Sequence, residues 1–307
     1  MKILVAYDGS SCSDAVFKDL PHAGLPERGD AIVISVSESW MVANNRDKER
    51  TDPYVKQLLR ESREKSENAL RQARKLADRA SSRVKKILPK WNVASEATFG
   101  SPAWEILDRA HEFKPDLIIL GSHGHSAVSR FVLGSISQKV LTEAECSVRV
   151  ARGAARRNTK ASRIVIGFDC SDGAKAAVKA VSQRNWGEGS GVRLIAVTDP
   201  VSPSIIGRLI PPVRRTVAEI NRSEQEWIER QAKHSLSVLQ KAGLSVALQL
   251  RNGNPKHVLP SEAEEFRADC IVVGATAHGG RVERFLLGST SAAVAARSHC
   301  SVEVVRG

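Results

Sequence analysis

The sequence predicts an α/β fold that is built twice, with a mostly parallel β-sheet in each half. Short apolar runs that suit buried strands alternate with segments whose apolar residues recur at helical spacing. The same pattern then restarts about halfway along the 307 residues. Strands that alternate with helices join into parallel sheets through right-handed crossovers, and the helices cover both faces of the sheet.

The first half contains five predicted strands, each followed by a turn or a predicted helix. The strands span residues 2–7, 31–36, 93–99, 116–120 and 147–150. The clearest helix start is Thr51–Pro53, which combines a capping residue, an early acid and an early proline. Further helices are predicted from about Ala15, after Gly100–Pro102 and after Gly134.

Five short motifs of the first half recur in the second half in the same order. They are Val5–Ser10 as Ile166–Ser171, Gly100–Pro102 as Gly253–Pro255, Asp116–Gly121 as Asp269–Gly274, Phe131–Ser137 as Phe285–Ser291, and Cys146–Val148 as Cys300–Val302. Five ordered matches are hard to obtain by chance. We therefore predict two related domains, residues 1–152 and 162–307, joined by an exposed linker rich in Arg, Ala and Asn.

Composition excludes several classes of protein. Hydrophobic residues make up 42% and charged residues 26%, which is typical of a soluble globular chain. No apolar run approaches the ~18 residues of a membrane span, and no signal peptide is recognised, so we expect a cytoplasmic protein without a membrane partner. The five cysteines form no CxxC pair and are expected to be small buried side chains.

The charge of +12 invites a nucleic-acid interpretation. Much of the positive charge lies on the predicted helix between Lys56 and Lys90, without interleaved aromatic residues that could stack on bases. A solvated helix face is the better interpretation, and nucleic acid is not expected as a partner.

The stretch from Gly121 to Ser137 is the strongest candidate for a binding site. Gly121 and Gly124 follow a buried strand, and Gly134 and Ser135 open a helix. Glycines let the backbone approach a ligand, and a helix start offers unpaired N–H groups and a positive dipole end. This arrangement suits a phosphate group. Glycine at a strand exit and a serine cap are also ordinary loop chemistry, so the residues alone leave both interpretations open.

Signatures of other enzyme classes are missing. The sequence has no P-loop, no G-x-G-x-x-G after a strand and no G-x-S-x-G nucleophile elbow. His123 and His125 flank Gly124 but lack further placed ligands, so we predict no metal site. We also predict no catalytic residue, because nothing positions an attacking water and any hydrolysis would be slow.

Two motifs of the first half resemble a known family. Asp8-Gly9-Ser10 after the first strand, with the spacing Gly-x2-Gly-x9-Gly-Ser from Gly121 to Ser135, is similar to the ATP-binding branch of the universal stress protein family. The resemblance covers essentially the whole chain as two tandem domains. It implies Rossmann-like (adenine nucleotide alpha hydrolase-like) domains, each with a five-stranded, mostly parallel sheet of order 3-2-1-4-5 flanked by helices.

The resemblance also implies a ligand and partners. We expect an adenine nucleotide (ATP, ADP or AMP), which Mg2+ or Mn2+ could accompany, at the point where the strand order reverses. Domains of this family pair through their last strands, here within one chain or in a homodimer. A stress-response role with an unknown protein partner follows from the same resemblance.

Residue by residue, the resemblance places the first nucleotide site at the strand ends and at the glycine motif. Ala6, Tyr7 and Asp8 would line the adenine side, with the Asp8 carboxylate accepting a hydrogen bond, and Val36 would form an apolar wall. The residues for ribose and phosphates are Gly121, His123, Gly124, Gly134, Ser135, Ile136 and Ser137. Each has a structural alternative; Asp8, for example, could simply cap its turn.

The second half departs from the motif. Thirteen residues separate Gly274 from Gly288, against twelve between Gly121 and Gly134, and Ala277 replaces the second glycine. The candidate residues of this second site are Asp169, Val197, Gly274, Gly279, Gly288, Ser289 and Ser291. Binding and loss of binding both remain open here.

Three functions are compatible with these observations. The leading one is a nucleotide-binding regulator that does not catalyse a reaction. The alternatives are a nucleotide-free interaction or dimerisation module and a slow ATPase.

Overall fold

The computed structural model of the chain describes residues 1–38, 53–123, 133–152, 161–200, 211–275 and 287–307. The chain divides into two compact units. The first unit holds the described residues within Met1–Phe17, Pro26–Val128 and Leu133–Ala151, and the second holds Lys18–Leu25 and the described residues from Arg152 onward. Each unit is built around its own set of five strands.

The strands of the first unit form a parallel sheet of order β3-β2-β1-β4-β5. Their bounds are β1 Lys2–Ala6, β2 Asp30–Ser37, β3 Asn92–Phe99, β4 Leu117–Gly121 and β5 Ser147–Ala151. This is the predicted order 3-2-1-4-5, and the predicted strands are confirmed to within about two residues at their ends. Gly121 closes β4 rather than following it.

The second unit repeats the order as β8-β7-β6-β9-β10, again with parallel pairs. Its strands are β6 Arg163–Gly167, β7 Gly191–Thr198, β8 Ser245–Asn252, β9 Cys270–Gly274 and β10 Ser301–Val305. The predicted duplication of one α/β architecture is therefore confirmed.

Helices connect the strands and cover the sheets. Among the described residues they are α1 Ala15–Asp19, α2 Pro53–Ile87, α3 Pro102–Phe113, α4 Ser135–Glu143, α5 Asp172–Ser182, α6 Pro211–Lys241, α7 Pro255–Phe266 and α8 Ser289–Arg297. α2 packs on β2 and β3 through a stripe of small and branched residues that includes Ala73, Ala77, Ala80 and Val84, all buried. That stripe keeps the helical spacing expected of a core-facing side.

The core of each unit lies on both faces of its central strands. Ile3, Leu4 and Val5 of β1 and Leu117–Ile119 of β4 are fully buried, which explains why these strands are continuous apolar runs rather than alternating ones. None of the helices in the described ranges combines the length and the apolar character that crossing a membrane requires.

Candidate functional site

Each unit has one place where a ligand crevice is expected from topology alone. β1 and β4 are hydrogen-bonded neighbours, but the chain leaves β1 towards β2 on one side and leaves β4 towards β5 on the other. The diverging connections open a gap beyond the carboxyl ends of the strands. We call the gap bounded by the ends of β1, β2 and β4 and the start of α4 the first crevice. Its equivalent at β6, β7, β9 and α8 is the second crevice.

A tight turn after β1 forms one wall of the first crevice. Asp8 Oδ1 accepts a hydrogen bond from the Ser10 N–H at 2.9 Å, and Ser10 Oγ accepts one from the Ser13 N–H at 3.1 Å. Gly9, between them, has φ +82°, a left-handed conformation that glycine adopts without penalty. The motif Asp8-Gly9-Ser10 therefore holds the Asp8 carboxylate at the edge of the crevice.

The opposite wall joins β4 to the start of α4. The Gly134 N–H donates to the Ser122 carbonyl at 2.9 Å, and the buried Ser137 hydroxyl donates to the Gly121 carbonyl at 2.8 Å. Gly134 is the N-cap residue and supplies no side-chain acceptor. The first-turn N–H groups of α4 thus start at the crevice without a capping side chain, which is the arrangement in which a helix start attracts an anion.

Close packing requires a glycine at position 121, in addition to its place in the motif. A Cβ added to it would lie 2.7 Å from the Cys12 carbonyl oxygen and 2.8 Å from the Ser13 nitrogen. The turn after β1 therefore rests directly on the end of β4. This contact draws the two walls together.

The second crevice has the same hydrogen-bond frame. The Ser171 N–H donates to Asp169 Oδ1 at 3.0 Å, and the Ser291 hydroxyl donates to the Gly274 carbonyl at 2.6 Å. The remaining matches are Ala174 N–H to Ser171 Oγ at 3.1 Å, Gly288 N–H to the Ala275 carbonyl at 2.7 Å, and Phe168 N–H to the Ile195 carbonyl at 2.8 Å. The last of these corresponds to the Tyr7 N–H bond to the Ile34 carbonyl at 2.9 Å in the first unit. A Cβ on Gly274 would lie 2.4 Å from the backbone of Gly173, as tightly placed as at Gly121.

A cavity of about 190 Å3 opens in the second crevice. Among the residues predicted for the second site, those that line it are Asp169, Val197, Gly274, Gly288, Ser289 and Ser291. The other predicted member, Gly279, lies outside the described residues, as do Gly124 and His125 of the first half. The departure from the motif in the second half therefore leaves the described walls of this crevice intact.

Sequence reasoning missed several residues that shape the crevices. Phe168 and Gly167 line the cavity, and they match Tyr7 and Ala6, so the internal repeat contained a signal for them. Leu259 of α7 also lines it and is distant in sequence from the motifs. In the first unit, the Ser35 hydroxyl donates to the Tyr7 carbonyl at 2.6 Å, and nothing in the sequence pointed to that contact.

The predicted residues of the first site differ in exposure. His123 is 8% exposed, and its Nδ1 lies 3.0 Å from Ser122 Oγ. Val36 is half-buried near the end of β2, and Ile136 is half-buried in the first turn of α4. Ser135 is exposed at the helix start, whereas Ser137 is buried beneath it. Only Ser135 of these polar side chains is readily open to solvent.

The two crevices differ most at the residue after the first strand of each unit. The Tyr7 hydroxyl donates to Asp14 Oδ1 at 2.9 Å, and Arg83 of α2 donates to the same oxygen at 2.6 Å. Burial and this hydrogen bond raise the pKa of Tyr7. Phe168 has no hydroxyl with which to make such a link.

The turn residue also differs. Cys170 stands where the first unit has Gly9, and it keeps a left-handed φ of 65° that is costly for a residue with a Cβ. Burial, followed by the charge of Asp169, raises the pKa of the Cys170 thiol. This cysteine is therefore a poor nucleophile at neutral pH.

Metal ligands do not cluster in the part of the chain that the structure describes. No group of three or more His, Cys, Asp or Glu side chains within those ranges could hold a metal ion.

Comparisons with known proteins agree with the fold. The family model described as the universal stress protein family matches residues 1–152 and again residues 160–306. A relative from Staphylococcus aureus strain USA300, named as a universal stress protein, is 32% identical over 151 residues, which are 49% of this chain and 82% of the relative.

Solved structures match over nearly the whole chain. The crystal structure of a universal stress protein from Archaeoglobus fulgidus has a TM-score of 0.60 at 20% identity, covering 99% of this chain and 96% of that one. One from Pseudomonas aeruginosa UCBPP-PA14 has a TM-score of 0.58 at 15% identity, covering 99% and 92%. At these identities the structures support the fold. The two matches to the family model show that the chain belongs to the universal stress protein family, with one copy of the family's domain in each half.

Proposed function

We propose that the chain is a stress-response regulator that binds an adenine nucleotide, ATP in the first instance, in the first crevice. The observation that carries the proposal is the pair of walls described above. The turn after β1 holds a carboxylate, α4 begins after β4 without a capping side chain, and the turn contacts the end of β4 at Gly121. Membership of a family with nucleotide-binding branches supports the same assignment.

The walls suit the two ends of a nucleotide. The end of β1, with Ala6, Tyr7 and Asp8, and the half-buried Val36 of β2 offer an apolar surface with one acceptor, which suits a purine base. The start of α4 offers backbone N–H groups and the positive end of the helix dipole, which suit phosphates. Ser135 is the exposed hydroxyl at that end, so it is the side chain placed to donate to a phosphate oxygen.

The second crevice is proposed as a second adenine-nucleotide site. It has the same five backbone and side-chain hydrogen bonds, and a cavity of about 190 Å3 opens within it. A volume of that size suits a base, with ribose and phosphates extending towards Ser289 at the start of α8. Because its glycine spacing differs from that of the first site, this site tests whether the shared hydrogen bonds alone are sufficient for nucleotide binding.

We propose binding without catalysis. The Asp8 carboxylate already accepts the Ser10 N–H, and no catalytic residue is assigned. Nucleotide occupancy would then favour one arrangement of the chain that a partner recognises, which is a population shift set by differential affinity.

Isothermal titration calorimetry with ATP tests the assignment. We expect saturable heat with a Kd below about 1 mM, that is, a binding free energy stronger than about −4 kcal/mol. Asp8→Ala should weaken binding in the first crevice at least about tenfold, and Asp169→Ala should affect only the second crevice, so each variant is the control for the other.

The same samples separate the alternatives. Absence of saturable heat in the wild type would contradict the proposal and favour a nucleotide-free interaction module. Phosphate release that accompanies the protein through purification and disappears in Ser135→Ala would indicate a slow ATPase instead.

A further inference from the structure

The first turns of α2 stand out because their apolar side chains are exposed. Tyr54 is 68% exposed, Val55 40%, Leu58 47% and Leu59 36%. We call residues 54–65 the α2 tip. Further along the helix the same side faces the core, where Ser66 is 4% exposed. The apolar stripe of α2 therefore continues beyond the part that packs on the sheet.

Basic side chains lie next to the apolar side of the α2 tip. At 100° per residue, Lys56, Arg60 and Arg63 fall within an arc of about 60° that adjoins the side formed by Val55 and Leu59. Within the α2 tip, four Lys and Arg residues stand against two Glu residues, a net charge of +2. Exposed apolar residues and a concentration of positive charge thus share one helical segment.

The corresponding helix of the second unit provides an internal comparison. α6 also exposes apolar side chains near its start: Val213 is 39% exposed, Ile220 49% and Trp227 47%. These three side chains are spaced seven residues apart, about two turns of helix, whereas the α2 tip places four exposed apolar side chains within residues 54–59. The first twelve residues of α6 carry the same net charge of +2 as the α2 tip, so the two helices differ in the density of their exposed apolar side chains.

We propose that the α2 tip binds the surface of a lipid bilayer rich in anionic phospholipids. A basic amphipathic helix lies in the interface, with apolar side chains among the outer acyl segments and basic side chains near the phosphates. The sequence argued against a membrane partner because no segment could span a bilayer. Binding at the surface requires no such segment.

The chemistry of the α2 tip favours this occupant over two others. A nucleic-acid duplex would satisfy Lys56, Arg60 and Arg63 but would leave the exposed leucines in water. A second copy of the chain could cover the leucines, but it would bring a second basic helix against the first, and like charges repel. An anionic bilayer satisfies both the leucines and the basic side chains.

Vesicle flotation of the full chain without nucleotide tests the proposal, so that its failure leaves the nucleotide assignment untouched. We expect the wild type to float with vesicles of phosphatidylcholine containing about 30% phosphatidylglycerol and not with pure phosphatidylcholine, because the surface potential drives the basic contacts. Binding should weaken in about 1 M NaCl, where the Debye length falls to about 3 Å.

Matched variants locate the surface. Leu58→Glu with Leu59→Glu should reduce vesicle binding at least about tenfold, because two apolar anchors are lost. Lys56→Glu with Arg60→Glu should do the same, since each basic residue contributes about fivefold near an anionic surface. The control, Val213→Glu with Ile220→Glu on α6, should stay within about twofold of the wild type, because the exposed apolar side chains of α6 lie about two turns apart and form no continuous anchor. Circular dichroism and the thermal midpoint of each variant verify that it folds.

Several outcomes would overturn the proposal. They are a wild type that does not float with anionic vesicles, an equal loss in the α6 control, and vesicle binding that is insensitive to the leucine changes. Binding to a DNA duplex in place of vesicles would assign the basic side to nucleic acid. A dimer that the leucine variant dissociates, as seen by sedimentation, would assign the apolar side to a second copy.

Discussion

Substituting Gly121 by alanine perturbs the contact that draws the two walls of the first crevice together. The added Cβ would lie 2.7 Å from the Cys12 carbonyl oxygen and 2.8 Å from the Ser13 nitrogen, whereas ordinary contacts begin at 3.4 Å. Both neighbours are backbone atoms in a hydrogen-bonded turn, so a rotamer change cannot relieve the overlap. The turn must move by about 0.7 Å, or β4 must bend.

The expected cost follows from that overlap. Overpacking of this kind costs about 1–3 kcal/mol, and glycine-to-alanine replacement returns about 0.5–1 kcal/mol by restricting the unfolded chain. The net loss should be about 1 kcal/mol, which corresponds to roughly 2–4 °C in the thermal midpoint of a unit of this size. Because the displaced turn carries Asp8, ATP affinity should fall as well.

Differential scanning calorimetry with and without ATP measures both effects. The matched control is Gly191→Ala at the start of β7, where a Cβ would meet its nearest neighbours at 3.7 Å and φ is not left-handed. That variant should be as stable as the wild type or slightly more so. A Gly121→Ala chain that melts with the wild type, or a control that is equally destabilised, would refute the packing argument.

Three further predictions concern single hydrogen bonds and backbone strain. Tyr7→Phe removes a hydroxyl whose pKa is raised by burial and by Asp14; a raised pKa means that stability is lost as pH rises through and above about 10. Urea unfolding of the variant should therefore show a shallower alkaline loss than the wild type, and an unchanged pH slope would argue against this role of Tyr7. Ser137→Ala leaves the Gly121 carbonyl without its 2.8 Å partner and should cost about 1–2 kcal/mol in the same assay; no loss would contradict it. Cys170→Gly relieves a left-handed φ of 65° and should raise the thermal midpoint by an amount corresponding to at most about 1 kcal/mol; a lower midpoint would mean that the side chain packs usefully.

The sequence was sufficient to predict the fold because its signals were local and were repeated. Ile3–Val5 and Leu117–Leu120 are short continuous apolar runs, which suit strands buried on both faces. The internal repeat then provided the same strand and turn signals a second time, in the second half of the chain. The sheet order came from the family resemblance, and the strand pairing confirms it in each unit.

The candidate site was predicted where it depends on the backbone and missed where it depends on packing. The turn at Asp8 and the helix start at Gly134 are readable because their residue types restrict local geometry. The Ser35 hydroxyl and the Leu259 side chain reach the crevices from other elements, so no local pattern could reveal them. The altered glycine spacing argued against the second crevice, whereas the described hydrogen bonds of its walls match those of the first crevice.

The exposure of the α2 tip was equally hidden from the sequence. Leu58 and Leu59 keep the period of the core-facing stripe, so a sequence pattern treats them like the buried Ala73 and Ala77. α2 has 35 residues, whereas β2 and β3, which it covers, have eight each. Even with the longer rise per residue of a strand, the helix is longer than the strands, so its first turns have no sheet beneath them.

Native mass spectrometry of the intact chain mixed with ATP counts the nucleotides bound to each chain and therefore tests binding in both crevices. We expect a species with one bound ATP at ATP concentrations below about 1 mM, depleted in Asp8→Ala, and a second adduct that Asp169→Ala removes. A spectrum that shows only the unliganded mass at that concentration, or adducts that neither substitution changes, would contradict it.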